Sequence, residues 1–220
     1  MGWESTALYY RLINEGVRQQ TNGDHAARIV LYSVDFHDIH TLQATNEWDA
    51  AGAILADAAL HIENAGADCL LICTNTMHVV APAITAAIKI PILHLADVTV
   101  EAILRDGNDT VGLLGTRFTM EKAFYKDHLS AHKISSIVPG KADRNIIHDI
   151  IYDELVQGIV RPQSRAEFLR IIDGLASQGA QGVISGCTEI SMIIQQEHIR
   201  LPLYDTTHLH ARAAVRFALG

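Results

Sequence analysis

The sequence predicts an α/β fold built as two pseudo-symmetric parallel-sheet domains, and three observations carry the prediction. Short runs of Val, Ile and Leu bounded by Gly, Pro, Asp or Thr alternate with longer stretches of helical periodicity, as buried parallel strands and their crossover helices do. The second half of the chain repeats the first at a spacing of about 114 residues. A length of 220 residues with 49% hydrophobic content is enough for one or two compact cores.

In chain order, Glu4–Gln20 is amphipathic and predicts a first helix. Arg28–Val34 predicts a strand, Trp48–Asn64 a helix, and Cys69–Cys73 and the proline-opened Pro91–Leu95 two more strands. Val98–Arg105 predicts a helix and Thr110–Leu114 a strand; Arg117–His132 and Ile134–Val138 continue the alternation. Helices are expected over Arg144–Gly158 and Arg165–Gln178. The second has Ser164 three residues before Glu167, the spacing of a capping box, and Phe168, Ile171, Ile172 and Leu175 on one face. Gly182–Ser185 and Pro202–Tyr204 close the series as strands.

The repeat is specific. Gly66-Ala67-Asp68-Cys69-Leu70-Leu71-Ile72-Cys73-Thr74 aligns with Gly179-Ala180-Gln181-Gly182-Val183-Ile184-Ser185-Gly186-Cys187-Thr188, with one inserted residue. Each block is followed by a helix and a proline-opened strand, Ile90–Leu93 and Leu201–Tyr204. The domains are read as 1–95 plus 206–220, and 96–205, with the segment after Asp205 packing back on the first half. The turn Gly115–Tyr125 follows the strand Val111–Leu114, whereas its first-half equivalent, Met1–Tyr10, has no strand before it. The first sheet is therefore expected to lack its opening strand, and an apolar strand ahead of Met1 to raise stability and activity.

Charge and cysteine content exclude several function classes. Seventeen Lys and Arg against 25 Asp and Glu leave a net charge of −8 with no basic stripe, so neither nucleic acid nor a membrane surface is an expected partner. No apolar run approaches the length of a bilayer span. Three cysteines and no signal segment read as a cytoplasmic protein with reduced thiols.

Cys73 and Cys187 stand at matching places, each at the C-terminal end of a predicted strand and just before a predicted helix. Open α/β sheets bind ligands at that edge, and a helix N-terminus there favours a thiolate or a bound carboxylate. Thr74, Asn75, Thr76 and Thr188 add short polar groups around the same anion. With the two halves facing one another, two thiols would flank a small cleft. One thiolate could remove the α-proton of an amino acid while the other thiol returned a proton to the opposite face. The donors would stabilise the carbanion.

These residues carry a family resemblance. Cys73–His78, Gly186–Ile190, Met1–Thr6, Ser33–Ile39, Leu114–Met120 and Asp205–His208 together resemble the cofactor-independent aspartate/glutamate racemases over essentially the whole chain. The resemblance implies Cys73 and Cys187 as catalytic bases, and Cys187 as the base toward the L-form. It also implies Asn75, Thr76 and Thr188 as holders of the α-carboxylate, and Thr116 and Thr119 as residues lining the site. Glu189 stands where related glutamate racemases carry histidine, which favours the aspartate-racemase branch. No cofactor and a homodimer are implied, and the family's first strand with its paired glycines has no counterpart before Met1.

Other features have plainer readings. Cys69 is read as a core residue. His37/His40 and His208/His210 lack a third ligand, so no metal is expected. Gly112 and Gly115 serve tight turns rather than a nucleotide fingerprint. Arg161, Arg165 and Lys141 are candidates for a side-chain carboxylate. The alternatives are a decarboxylase or cis–trans isomerase of small diacids on the same fold, and a non-catalytic amino-acid or dicarboxylate binding protein.

Overall fold

Two units divide the chain, Met1–Leu95 with His210–Gly220 and, between them in sequence, Ala96–Leu209. They are seen in a computed structural model that describes residues 2–220; Met1, which opens the Met1–Thr6 stretch, lies outside the described residues. No described helix is long and apolar enough to cross a membrane.

The second unit holds a four-stranded parallel sheet in the order β2-β1-β3-β4, with β1 Thr110–Leu114, β2 Ser135–Ile137, β3 Gly182–Ser185 and β4 Leu203–Asp205. β1 and β3 are its inner strands, and Val111, Leu113, Leu114, Val183 and Ile184 are all buried. Phe168, Ile171, Ile172 and Leu175 pack into the same core as Leu114 and Val183, which is the face the helical spacing predicts. Each of these large side chains contributes about 1.5–3 kcal/mol on burial. Leu175 sits so close to the sheet that a Cβ added at Gly112 would meet its Cδ1 at 2.9 Å.

Three helical expectations change in detail. Arg117–His132 is two helices, Arg117–Glu121 and Ala123–Ala131, because Lys122 between them is extended (φ −67°, ψ 149°). The Arg144–Gly158 region is a helix over Lys141–Asp153 followed by a 3-10 turn that ends at Gly158 with φ +75°, a conformation that favours glycine. The next helix spans Pro162–Ser177 and starts from Arg161, not Ser164. Proline at its start has the helical φ already set. Ser164 is instead buried in the first turn, donating to Glu154 Oε2 at 2.6 Å.

The first unit has the helices α1 Trp3–Gln20, α2 Phe36–Ala44, α3 Trp48–Asn64 and α4 Ala81–Ala87. The chain passes to the second unit at the start of α5, Leu95–Arg105, and returns within the C-terminal helix, Thr206–Leu219. Ile39, Leu55, Leu70, Ile72, Met77 and Ile84 form the first unit's core. α1 and the C-terminal helix touch closely: a Cβ at Gly16 would meet Val215 Cγ2 at 2.7 Å.

The expected first-half sheet is not formed as a sheet. Cys69–Cys73 and Pro91–Leu95 meet only in one parallel bridge, Leu70 to Ile92, and Arg28–Val34 is not a strand. The bridge keeps the repeat's register, since Leu70 pairs with Ile92 as Val183 pairs with Leu203. Leu70 N–H donates to Pro91 O at 2.9 Å and Val183 N–H to Pro202 O at 2.8 Å. In the second unit β1 lies between β2 and β3 and bonds to both. The first unit has no segment in that place among its described residues. Without it Arg28–Val34 has no neighbour to form a ladder with, and Ile29, Val30, Leu31 and Tyr32 are exposed.

Candidate active site

In the first unit the chain leaves the Leu70 bridge and turns through Cys73, Thr74 and Asn75 into a 3-10 turn, Thr76–Val80. The turn is held by three hydrogen bonds. Ser5 Oγ donates to Cys73 O at 2.8 Å. His78 Nε2 accepts from Leu95 N–H at 3.2 Å, which leaves the proton on Nδ1 to donate to Thr74 O at 2.9 Å. Asn75 and Thr76 are buried beside them. The sequence therefore brings Cys73, Asn75 and Thr76 together on one loop.

His78 belongs to a buried histidine group that sequence reasoning missed. Its ring lies 4.6 Å from that of His94 and 5.9 Å from that of His210. His210 Nε2 donates to Leu93 O at 2.6 Å, so Nδ1 accepts from Tyr9 OH at 2.9 Å. Burial holds His78 well below the ordinary histidine range, helped by its two neighbours, and brings His210 down to about 4. Both rings are neutral at physiological pH. The sequence signal was a histidine in or beside the Cys73–His78, Pro91–Leu95 and Asp205–His208 blocks, which on its own reads equally as surface.

In the second unit the candidates gather at the C-terminal ends of β1 and β3. Gly186 N–H donates to Leu114 O at 2.8 Å, and the approach is close: a Cβ at Gly186 would meet Leu114 O at 2.7 Å and Thr119 Cγ2 at 3.0 Å. Glycine at that position sets Cys187 beside the turn containing Thr116 and Thr119, both buried, with Thr116 as N-cap of the helix Arg117–Glu121. Cys187 Sγ donates to Glu189 Oε2 at 2.8 Å, and Thr188 Oγ1 donates to the same oxygen at 2.7 Å. Thr188 is thus engaged with Glu189 in this structure. Tyr152 stands near both, its hydroxyl pushed up to about 12 by burial and then by the Cys187 and Glu189 charges.

The expectation that a helix N-terminus would favour a thiolate is corrected. Burial pushes Cys73 up to about 12. Burial, then the Glu189 charge and hydrogen bond, hold Cys187 well above the usual thiol range. The helical pieces that follow are a five-residue 3-10 turn and a four-residue helix, Ile190–Ile193, too short for a dipole that offsets burial. Both cysteines are free and rest as thiols; Cys69 is free and partly buried. Two of the cationic candidates are engaged: Arg161 pairs with Glu154 at 3.4 Å and Arg165 Nε donates to Ile193 O at 2.9 Å, while Lys141 is exposed at a helix start.

Residues 1–214 match the Asp/Glu/hydantoin racemase family. The chain belongs to that family. Among solved structures, this racemase is similar to a candidate Asp/Glu racemase from Yersinia pestis, 48% identical, with a TM-score of 0.95 over 100% of this chain and 96% of that one. It is also similar to an aspartate racemase homologue from Pyrococcus horikoshii OT3, 29% identical, TM-score 0.88, covering 99% and 95% of the two chains. The broad specificity amino-acid racemase RacX of Bacillus subtilis is 23% identical over 168 residues, 73% of this chain and 69% of that protein.

Proposed function

We propose that the protein racemises an acidic amino acid, aspartate or glutamate, without a cofactor, by a two-base exchange between Cys73 and Cys187. The observation that carries the reading is the repeat itself. It sets one free thiol at the same point of each half, after the stretch whose pairing register the two halves share. One sulfur, as thiolate, takes the α-proton and becomes a thiol. The other thiol delivers its proton to the opposite face of the carbanion and is left as thiolate. One proton is exchanged, configuration inverts, and nothing is oxidised or reduced.

Because both cysteines rest as thiols, one must lose its proton when substrate binds. On the second-half side Glu189, 2.8 Å from Cys187 Sγ, is placed to take it. Asn75, Thr76 and Thr188 hold the α-carboxylate in this reading, with Thr116 and Thr119 lining the site.

The test is a panel of L- and D-amino acids in deuterated water, read by chiral chromatography and mass. Aspartate or glutamate should emerge racemised with one deuterium at the α-carbon. Cys73→Ser and Cys187→Ser should each lose racemisation by at least about a thousandfold, while one-sided exchange survives from one enantiomer in each variant. Full activity in either variant would remove that cysteine from the mechanism. Loss of carbon dioxide or isomerisation of a diacid without racemisation would replace the reading altogether.

A further inference from the structure

Three successive carbonyls of the Cys73 loop are held by side-chain donors of the same unit. Ser5 Oγ–H donates to Cys73 O at 2.8 Å, and His78 Nδ1–H is shared between Thr74 O at 2.9 Å and Asn75 O at 3.2 Å. The imidazole is itself fixed. Its Nε2 accepts from Leu95 N–H, and the rings of His94 and His210 pack against it, leaving His78 3% exposed. His210 is tied in turn to Leu93 O and to Tyr9, which stands four residues after Ser5 on α1. Residues at that spacing share a helix face, so one face of α1 supports both ends of the arrangement.

The direction of those carbonyls dictates the direction of the amides. No described peptide bond is cis, and in a planar trans peptide the N–H lies opposite the C=O. Because Thr74 O and Asn75 O both converge on His78, the N–H groups of Asn75 and Thr76 both point away from it. Asn75 is in the right-handed helical conformation, φ −69° and ψ −53°, which keeps two successive amides nearly parallel. Thr76 N–H donates to no backbone carbonyl among the described residues. Successive N–H groups aimed one way form an anion-binding concavity, and a carboxylate has an oxygen for each. The second half lacks the device: Met192, five residues after Cys187 as His78 is five after Cys73, is exposed and has no side-chain N–H.

We propose that His78 is a positioning residue for the reaction: by gathering the Thr74 and Asn75 carbonyls on one side, it turns the Asn75 and Thr76 amides to the other as a preset pair of donors for the substrate's α-carboxylate. The donors are then in place before substrate arrives and need no rearrangement as charge develops on the carboxylate side of the carbanion. The inference rests on the reading of this loop as the carboxylate holder, and not on the thiol exchange.

Two substitutions separate the ring's two bonds. His78→Asn keeps a side-chain N–H near the place of Nδ1 and loses the acceptor for Leu95 N–H, whereas His78→Gln keeps an acceptor near Nε2 and loses the donor to the loop carbonyls. With aspartate or glutamate as substrate, His78→Gln should lose at least about thirtyfold in kcat/KM, with KM raised about tenfold, while His78→Asn stays within about fivefold of the parent. The reverse order, or equal activity of the two folded variants, would overturn the proposal. So would a lowered Tm in both with KM unmoved, because His78 would then serve stability alone. Should neither variant fold, NMR of the isotope-labelled full chain decides, with racemic aspartate and racemic glutamate as probes, since racemisation leaves their composition unchanged. The Asn75 and Thr76 amide protons should move downfield at saturation, and the His78 ring proton should be found on Nδ1. Unmoved amides, or a proton on Nε2, would overturn the proposal. Shifted amides in a protein that does not racemise either probe would support the carboxylate site and remove the thiol exchange, so the two readings fail separately.

Discussion

The two halves share chain order, register and a cysteine at the same step, yet the second closes a four-stranded sheet and the first manages one bridge. The difference lies in a single inner strand. β1 gives β2 and β3 a common neighbour; the described residues of the first unit hold no such strand, and Ile29–Tyr32 is left exposed although its sequence is as strand-like as any in the chain. Strand propensity is thus a statement about available partners as much as about residue type. The halves also differ in how they hold their thiols. Cys73 is fixed through backbone carbonyls by Ser5 and, through Thr74, by His78, whereas Cys187 has a carboxylate on its sulfur.

Acid should separate the halves most strongly. His78 and His210, both in the first unit, have folded pKa values below the unfolded one. Their contribution is present above pH about 6.5 and is lost as pH falls, for His210 down to about 4, a difference on the order of 3 kcal/mol. Chemical denaturation between pH 7 and 4, followed by amide exchange, should show the first unit weakening first. His210→Gln should flatten that pH dependence, and equal loss in both units would break the comparison.

Gly186→Ala is expected to cost about 2 kcal/mol, because the added Cβ meets Leu114 O and Thr119 across the closed β1–β3 edge. Gly186 is the residue inserted in the second repeat. Urea unfolding with unchanged stability would mean that this edge is looser than its geometry implies. Glu189→Gln should lower the Cys187 thiol toward its ordinary value, since the carboxylate's charge and hydrogen bond both raise it. Alkylation of Cys187 should then begin at lower pH while Cys73 is unmoved, and turnover should fall about tenfold, roughly 1.4 kcal/mol. The smallest effect is expected from Arg161→Ala, at most about 1 kcal/mol, because its pair with Glu154 is solvent-screened. No selective effect on acidic substrates should follow.

Much of this was legible in the sequence. Thr110–Leu114 and Gly182–Ser185 stand as read, because an inner parallel strand is apolar on both faces and bounded by turn residues. The face Phe168–Leu175 was legible for the same kind of reason, a period that matches one element only. Ser164 was misjudged because Pro162 starts the helix earlier, and a buried partner, Glu154, claims the hydroxyl. Both cysteines could be picked out, since the repeat marks them, whereas the N-cap role of Thr116 was not read from the sequence, which offered that residue only through the family resemblance as lining the site. The Tyr9–His210 pair and the Tyr152 neighbourhood were not, because each joins residues far apart in the chain with no periodic signal. The resting protonation of the thiols was also hidden, as it depends on burial and on the length of the following helix.

The exposed Ile29-Val30-Leu31-Tyr32 run has a bearing on how the protein must be handled. Four consecutive β-branched, aliphatic or aromatic residues between 36% and 49% exposed, with no charge among them, form a sticky edge that can template identical strands from neighbouring molecules. Arg28 and Asp35 flank the run at either side, the sort of gatekeeper charges that slow such growth without preventing it. Concentrated, warm or salted solutions would therefore lose protein through intermolecular β-assembly that starts at this segment.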